Sequence, residues 1–182
     1  MRLVFFLEEP SAGYMLDGVL PRLLPDNVSY LWVPFDGKQD LEKQLPRKLK
    51  GWLHTEDTRF IILRDQDGGD CKKIKARLHD ICVQAGKPDV LIRIACRELE
   101  SFYLGDLHAV GKGFNKPRLA ETQNSRKFRN PDGLGNPIQE LERLVPEYEK
   151  GSGSRVISPH LNLETNYSCS FRALITGIKM LV

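Results

Sequence analysis

Apolar and polar positions follow two rhythms along the first two thirds of the chain. Residues 3–7, 29–35, 59–63 and 90–95 are short apolar runs rich in valine, isoleucine and aromatic residues. They have the length and composition of buried strands. Between them the spacing changes to that of helices. After residue 10, Tyr14, Met15, Val19, Leu20, Leu23 and Leu24 fall on one broad face, predicting a helix that ends near Leu24. Residues 39–54 read as a second helix, which Pro46 should kink or split. A third has Ile74, Leu78, Ile81, Cys82 and Ala85 on one side, with Lys72, Lys73, Lys75 and Arg77 off it. Gly86-Lys87-Pro88 supplies its stop.

Strands interleaved with helices predict βαβ units. The expected fold is therefore α/β and Rossmann-like, with a mainly parallel four-stranded central sheet flanked by helices. This core should occupy about residues 1–110, with a short helix running to about Val110. Residues 111–182 are less regular: a basic loop, a helix around 138–145, a turn at Gly151-Ser152-Gly153-Ser154 and a terminal helix from about Phe171. They predict a helical and loop extension of one domain, packed on the sheet and walling its crevice.

Composition narrows the class without choosing a function. With 182 residues, 41% hydrophobic and 28% charged, the chain can bury an ordinary core and is not a disordered or fibrous sequence. No apolar run is long enough to span a bilayer. The N-terminus carries one basic residue and a short apolar stretch with acids directly behind it, the shape of a first strand rather than a signal peptide. Cys71, Cys82, Cys96 and Cys169 lack metal spacing and read as scattered buried thiols of a reducing cytoplasm. His54, His79, His108 and His160 sit in no motif and read as structural or solvated. The net charge of +3 points to no partner, but its distribution is uneven. Residues 111–130 hold Lys112, Lys116, Arg118, Arg126, Lys127 and Arg129 against the single acid Glu121, interspersed with Phe114 and Phe128. Such a segment suits a flexible arm on nucleic-acid phosphates, or a solvated basic loop.

The acids carry the chemistry. Glu8-Glu9, Asp65-Gln66-Asp67 and the pair Glu98 and Glu100 each follow a predicted strand. In an open α/β sheet the loops at the carboxyl ends of the strands converge on one crevice, where ligands bind. Carboxylates gathered there repel one another unless cations intervene, and hard divalent ions take such oxygen ligands. An EF-hand loop begun at Asp65 fails, because its twelfth position is Ala76. A D-x-D phosphatase would carry threonine or valine where Gly69 stands, and a receiver domain would want a hydroxyl where Ala95-Cys96 stands. Asp70 is expected to be the N-cap of the helix behind it.

The ordered set, strand–Glu–helix, then strand–Asp-x-Asp–helix, then a further acidic pair, resembles the Toprim domain of topoisomerases, primases and related nucleases. The closest resemblance is to bacterial Toprim-like proteins gathered as domain-of-unknown-function family 4276. It rests on LEEPSA at 7–12, ILRDQDGGD at 62–70, CRELESFYLGD at 96–106, Tyr148-Glu149-Lys150 and Ser170-Phe171-Arg172. By this resemblance Glu8 takes the catalytic glutamate position, and Glu9 replaces the usual glycine and stays outside the core site. Asp65, Asp67 and Glu8 would hold one or two Mg²⁺ or Mn²⁺ ions, and Glu98 or Glu100 would complete the set. Glu98 is nearer the strand end and preferred; if residues 98–100 are extended, both acids share a face. Lys150 would offset charge at the scissile phosphate, with Arg172 as the alternative. The implied activity is metal-dependent phosphodiester hydrolysis of DNA or RNA, with an ATPase of a mobile-element or phage-defence gene set as a partner and oligomerisation open. The alternative is a non-catalytic Mg²⁺-binding sensor or scaffold subunit.

Overall fold

The computed structural model describes residues 1–53 and 56–182, so His54 lies outside the described residues. Its centre is a four-stranded sheet of β1 (Arg2–Leu7), β2 (Ser29–Pro34), β3 (Thr58–Asp65) and β4 (Leu91–Ala95). The order is β2-β1-β3-β4 and every pairing is parallel, as the βαβ rhythm requires. The expected α/β, Rossmann-like architecture is the one observed.

Each strand presents alternate residues to opposite layers, and both layers are apolar because the sheet is covered twice. Leu3, Phe5, Leu7, Ile61 and Leu63 face one layer, made of α1 (Pro10–Val19) and the helices that follow β4. Those helices are α4 (Glu100–Leu104), α5 (Leu107–Gly113), α6 (Pro137–Leu144), α7 (Lys150–Ile157) and α8 (Cys169–Lys179). Val4, Phe6, Phe60 and Ile62 face the other layer, made of α2 (Lys38–Lys50) and α3 (Cys71–Gln84). There Phe6 stacks on Phe60 at 6.0 Å and meets Trp52 edge-on at 6.1 Å. Phe102 and Tyr103 are fully buried in the first layer.

Three local expectations are corrected. Pro46 sits inside α2 and the helix runs through it. The proline forfeits one N–H donor, while Leu41, Leu45 and Leu49 on the same face stay fully buried. Gly151 to Ser154 form the first turns of α7, not a turn between elements. Their small side chains are demanded by packing: a Cβ on Gly153 would lie 2.3 Å from the Tyr148 ring, and Ser154 Oγ returns a 2.6 Å hydrogen bond to the Lys150 carbonyl. Tertiary packing overrides weak helix propensity here. The helix expected to reach Val110 is broken into α4 and α5 at Gly105, against which Asn166 packs closely.

The basic segment is also more ordered than a flexible arm. It contains the end of α5 and a 3₁₀ turn at Pro117–Thr122, and Phe128 is buried. Lys116 pairs with Glu147 at 2.8 Å and Lys127 pairs with Glu140. The Arg129 side chain bonds the Asn124 carbonyl at 2.8 Å. Lys112, Arg118 and Arg126 are exposed.

Of the four free cysteines only Cys82 is fully buried, and Cys169 is exposed. The reading of four scattered buried thiols is thus corrected: Cys71, Cys96 and Cys169 line one cavity of about 340 Å³ between α3, β4 and α8. No described helix is long and apolar enough to cross a membrane.

Candidate functional site

The chain leaves β1 toward β2 on one side and β3 toward β4 on the other, so the strand order reverses between β1 and β3. That reversal opens a crevice at the carboxyl ends of the two strands. Glu8 and Asp65 stand at its two lips. The Glu8 N–H bonds the Leu63 carbonyl, extending the ladder, and Gly37 N–H bonds the Glu8 carbonyl at 3.0 Å. Glu8 Oε2 in turn accepts from the Asp65 N–H at 3.3 Å. Backbone pairing of the sheet thereby fixes the two acids together.

Glu100 joins them from α4. It is fully buried, its Oε1 accepts from Tyr148 Oη at 2.8 Å, and its Oε2 has no hydrogen-bond partner. Lys150, the first residue of α7, reaches into the same cluster and places Nζ 3.0 Å from both oxygens of Glu9. Burial of like charges shows in the protonation equilibria. Asp65 keeps some accessible surface, but desolvation, then Glu100, Glu8 and Glu9, push its carboxyl well above the ordinary range, with Lys150 opposing. Desolvation likewise raises Glu100, which Lys150 and the Tyr148 hydroxyl partly offset. Glu8 is raised by burial and Asp67, and restrained by Arg64. Burial works against the Lys150 charge, yet Glu100, Glu9 and Asp65 outweigh it and hold the ammonium above its usual value.

Asp67 lies at the outer edge and is 38% exposed. Lys38, the first residue of α2, pairs with it at 2.7 Å. The loop bearing Asp67 is held in unusual backbone: Asp67 has φ 52° and Arg97, after β4, has φ 65°. Both are left-handed non-glycine residues, a conformation costing of order 1 kcal/mol each that clusters at functional sites. They sustain each other, since Asp67 N–H bonds the Arg97 carbonyl at 2.7 Å and Arg97 N–H bonds Gln66 Oε1 at 3.2 Å.

Glu98 is not in this cluster. Its Oε2 accepts from the Ile138 N–H at 2.9 Å, capping the start of α6 from outside that helix. The preference for Glu98 over Glu100 is therefore reversed in space. An extended segment would have placed both acids on one face, but the left-handed turn at Arg97 and the helix beginning at Glu100 break that alternation. Glu9, set aside from the sequence, lies within the cluster as the partner of Lys150. Asp70 is the N-cap of α3, accepting from the Lys72 and Lys73 N–H groups. Arg172 turns away to the Asn166 carbonyl and the Cys169 sulfur.

Sequence reasoning did not assign Arg64, Lys38, Gln66 or Tyr148 to the site, although Gln66 and Tyr148 lie inside the motifs it used. Arg64 is 7% exposed, bonds Glu42 at 2.6 Å and lies 3.6 Å from Glu8. An arginine breaking a buried apolar strand directly before an acid was the one available clue.

The donor chemistry fits a hard divalent ion: carboxylate oxygens from three strand ends, with one buried oxygen lacking a partner. The cage is not preformed, because among the described residues no three His, Cys, Asp or Glu side chains are already arranged to hold a metal ion. Lys38, Arg64 and Lys150 supply the neutralising charge instead. A cavity of about 730 Å³ lies elsewhere, lined among others by Arg22, Asp106, His108 and His160. The Arg22 guanidinium is spent on the Gly18, Leu161 and Ser158 carbonyls, and His79, His108 and His160 are exposed.

The model of the family described as "Domain of unknown function (DUF4276)" matches residues 7–179, nearly the whole chain. The chain belongs to the DUF4276 family. The DUF4276 match spans β1 to α8 and so takes in Glu8, Asp65, Asp67, Glu100 and Lys150 alike. No curated protein and no solved structure matches the chain.

Proposed function

We propose that this DUF4276 chain is a Toprim-type, metal-dependent phosphodiester hydrolase acting on nucleic acid. The observation that supports it most is the convergence of Glu8, Asp65 and Glu100 at the β1/β3 reversal, with an unpartnered Glu100 oxygen and the Lys150 ammonium beside them. Asp65, Glu8, Asp67 and Glu100 are the residues to hold Mg²⁺ or Mn²⁺. When bound, such an ion supplies Lewis-acid polarisation of a phosphoryl oxygen and a more acidic water. Arg64 opposes the burial and the Asp67 charge that favour the protonated form of Glu8. Tyr148 fixes one oxygen of Glu100 and leaves the other without a hydrogen-bond partner. Lys150 offsets the negative charge that develops on the phosphate oxygens. Exposed Lys112, Arg118 and Arg126, with Arg129, are the cations left to contact the nucleic-acid backbone, since Lys116 and Lys127 are engaged in ion pairs.

A second reading has its own support. Glu9, where related motifs carry glycine, already binds Lys150 through both oxygens, as a non-catalytic Mg²⁺-binding subunit of an ATPase complex could retain. The test is incubation of the protein with DNA and with RNA in Mg²⁺ or Mn²⁺, alone and with any ATPase encoded beside it. Divalent-dependent cleavage lost in Asp65→Ala is the expected result. Cleavage absent in both settings, or indifferent to Asp65→Ala, overturns the hydrolase reading in favour of the subunit.

A further inference from the structure

Lys38 occupies a position that helix energetics disfavours. It is the first residue of the 13-residue α2, where the helix dipole presents partial positive charge and an added cation is unfavourable by a few tenths of a kcal/mol. Gly37 before it adopts φ 85°, a conformation glycine supplies without strain, and its N–H is bonded to Glu8. The start of α2 is thus tied to the end of β1, and Lys38 reaches the crevice at Asp67. Its ammonium reaches Asp67 at 2.7 Å while remaining 48% exposed. Lys150 holds both oxygens of Glu9 at 3.0 Å, with Glu100 and Asp65 adding to its field, whereas Lys38 holds Asp67 through a single oxygen.

We infer that Lys38 is a mobile counter-charge of the site: it neutralises Asp67 in the metal-free protein and transfers to a phosphate of bound nucleic acid when Asp67 is engaged in metal binding. The inference rests on the metal-centre reading above. Three observations point the same way. Asp67 is the most exposed acid of the set, so its pairing is the least costly to exchange. The loop carrying it is pinned by Gln66 and Arg97, so Asp67 stays while the long lysine stem moves. Buried Glu100 keeps an oxygen without a donor, so the cluster has ligating capacity that the resident cations leave unused. Exchange also avoids competition, because the ammonium released from a carboxylate finds a new anion rather than remaining in the ion's place.

The test compares the full chain with its Lys38→Met and Lys38→Arg variants, using Mn²⁺ binding by titration and oligonucleotide binding by fluorescence anisotropy, with and without Ca²⁺. Removing the competing ammonium should tighten Mn²⁺ binding about twofold to fivefold in Lys38→Met, matching an exposed ion pair. The same variant should lose about tenfold in oligonucleotide affinity with Ca²⁺ present, the scale of one charge-assisted contact, and little without it. Lys38→Arg should keep the ion-dependent gain. Unchanged Mn²⁺ affinity in Lys38→Met, or an oligonucleotide loss equal with and without Ca²⁺, overturns the exchange role and leaves the metal centre standing. Absence of Mn²⁺ binding in the unaltered chain and in Asp67→Asn alike overturns the metal centre, and the exchange role with it. Lys38 contacts solvent on much of its surface, so both variants should melt close to the parent temperature.

Discussion

The inner and outer halves of the crevice use the same chemistry, ammonium against carboxylate, in opposite surroundings. The inner half, Asp65, Glu100, Glu9 and Lys150, is walled by Tyr103, Tyr148 and Ser154 and bound into α4 and α7. The outer half, Asp67 and Lys38, meets solvent and is shaped by backbone rather than by packing. Desolvation makes charge on Asp65 and Glu100 expensive and couples both to Lys150, whereas solvent screens the outer pair. Burial therefore separates the part of the site that must be built during folding from the part that can respond to a ligand.

That contrast can be broken or sharpened by substitution. The largest effect is expected at Glu100: Glu100→Gln should weaken Mn²⁺ binding at least about tenfold, while Glu98→Gln should leave it unchanged, measured by titration calorimetry. If Glu98→Gln weakens binding as much, the two acids have been assigned to the wrong halves of their loop. Next, Tyr148→Phe should cost about 1–3 kcal/mol in urea unfolding, because it strips the one hydrogen bond from a buried carboxylate. Asp65→Asn should act in the opposite direction and stabilise the metal-free protein by about 1 kcal/mol, removing a charge that burial and three carboxylates oppose. A cost similar to that of Tyr148→Phe would show the charge to be satisfied after all.

The pH dependence carries a definite sign. The folded carboxyls of Asp65, Glu100 and Glu8 hold their protons to higher pH than the unfolded chain does. Their contribution favours the folded state below the raised values and is lost as pH climbs from the ordinary carboxylate range through them. Metal-free melting temperature should therefore fall across that window, more shallowly in Asp65→Asn. The smallest effect belongs to Lys38→Met, whose cost in unfolding should stay below about 1 kcal/mol.

Much of this architecture was legible in the chain. Strand-length apolar runs and the faces of α1 and α3 specify βαβ units directly, because burial on both sides of a parallel sheet leaves few alternatives. Glu8, Asp65 and Asp67 followed from lying at strand ends, and Asp70 from its capping position. What stayed hidden depended on partners distant in sequence. Gly151 to Ser154 form a helix only because Tyr148 and Tyr103 need small neighbours there. Lys38 and Arg64 show no motif, since their partners lie 29 residues away for Lys38 and 22 and 56 residues away for Arg64. Glu98 was preferred to Glu100 for lying nearer the strand end, but the left-handed Arg97 and the helix beginning at Glu100 redirect the segment.

The placement of β1 at the middle of the sheet has a temporal consequence. Glu8 meets Asp65 only when β3 docks, 57 residues later, and Lys150 reaches Glu9 across 141 residues. A chain emerging from the ribosome thus gathers these acids, with Lys38 and Arg64, well before Lys150. The segment carrying α7 acts as a latch that completes the crevice after the sheet has formed.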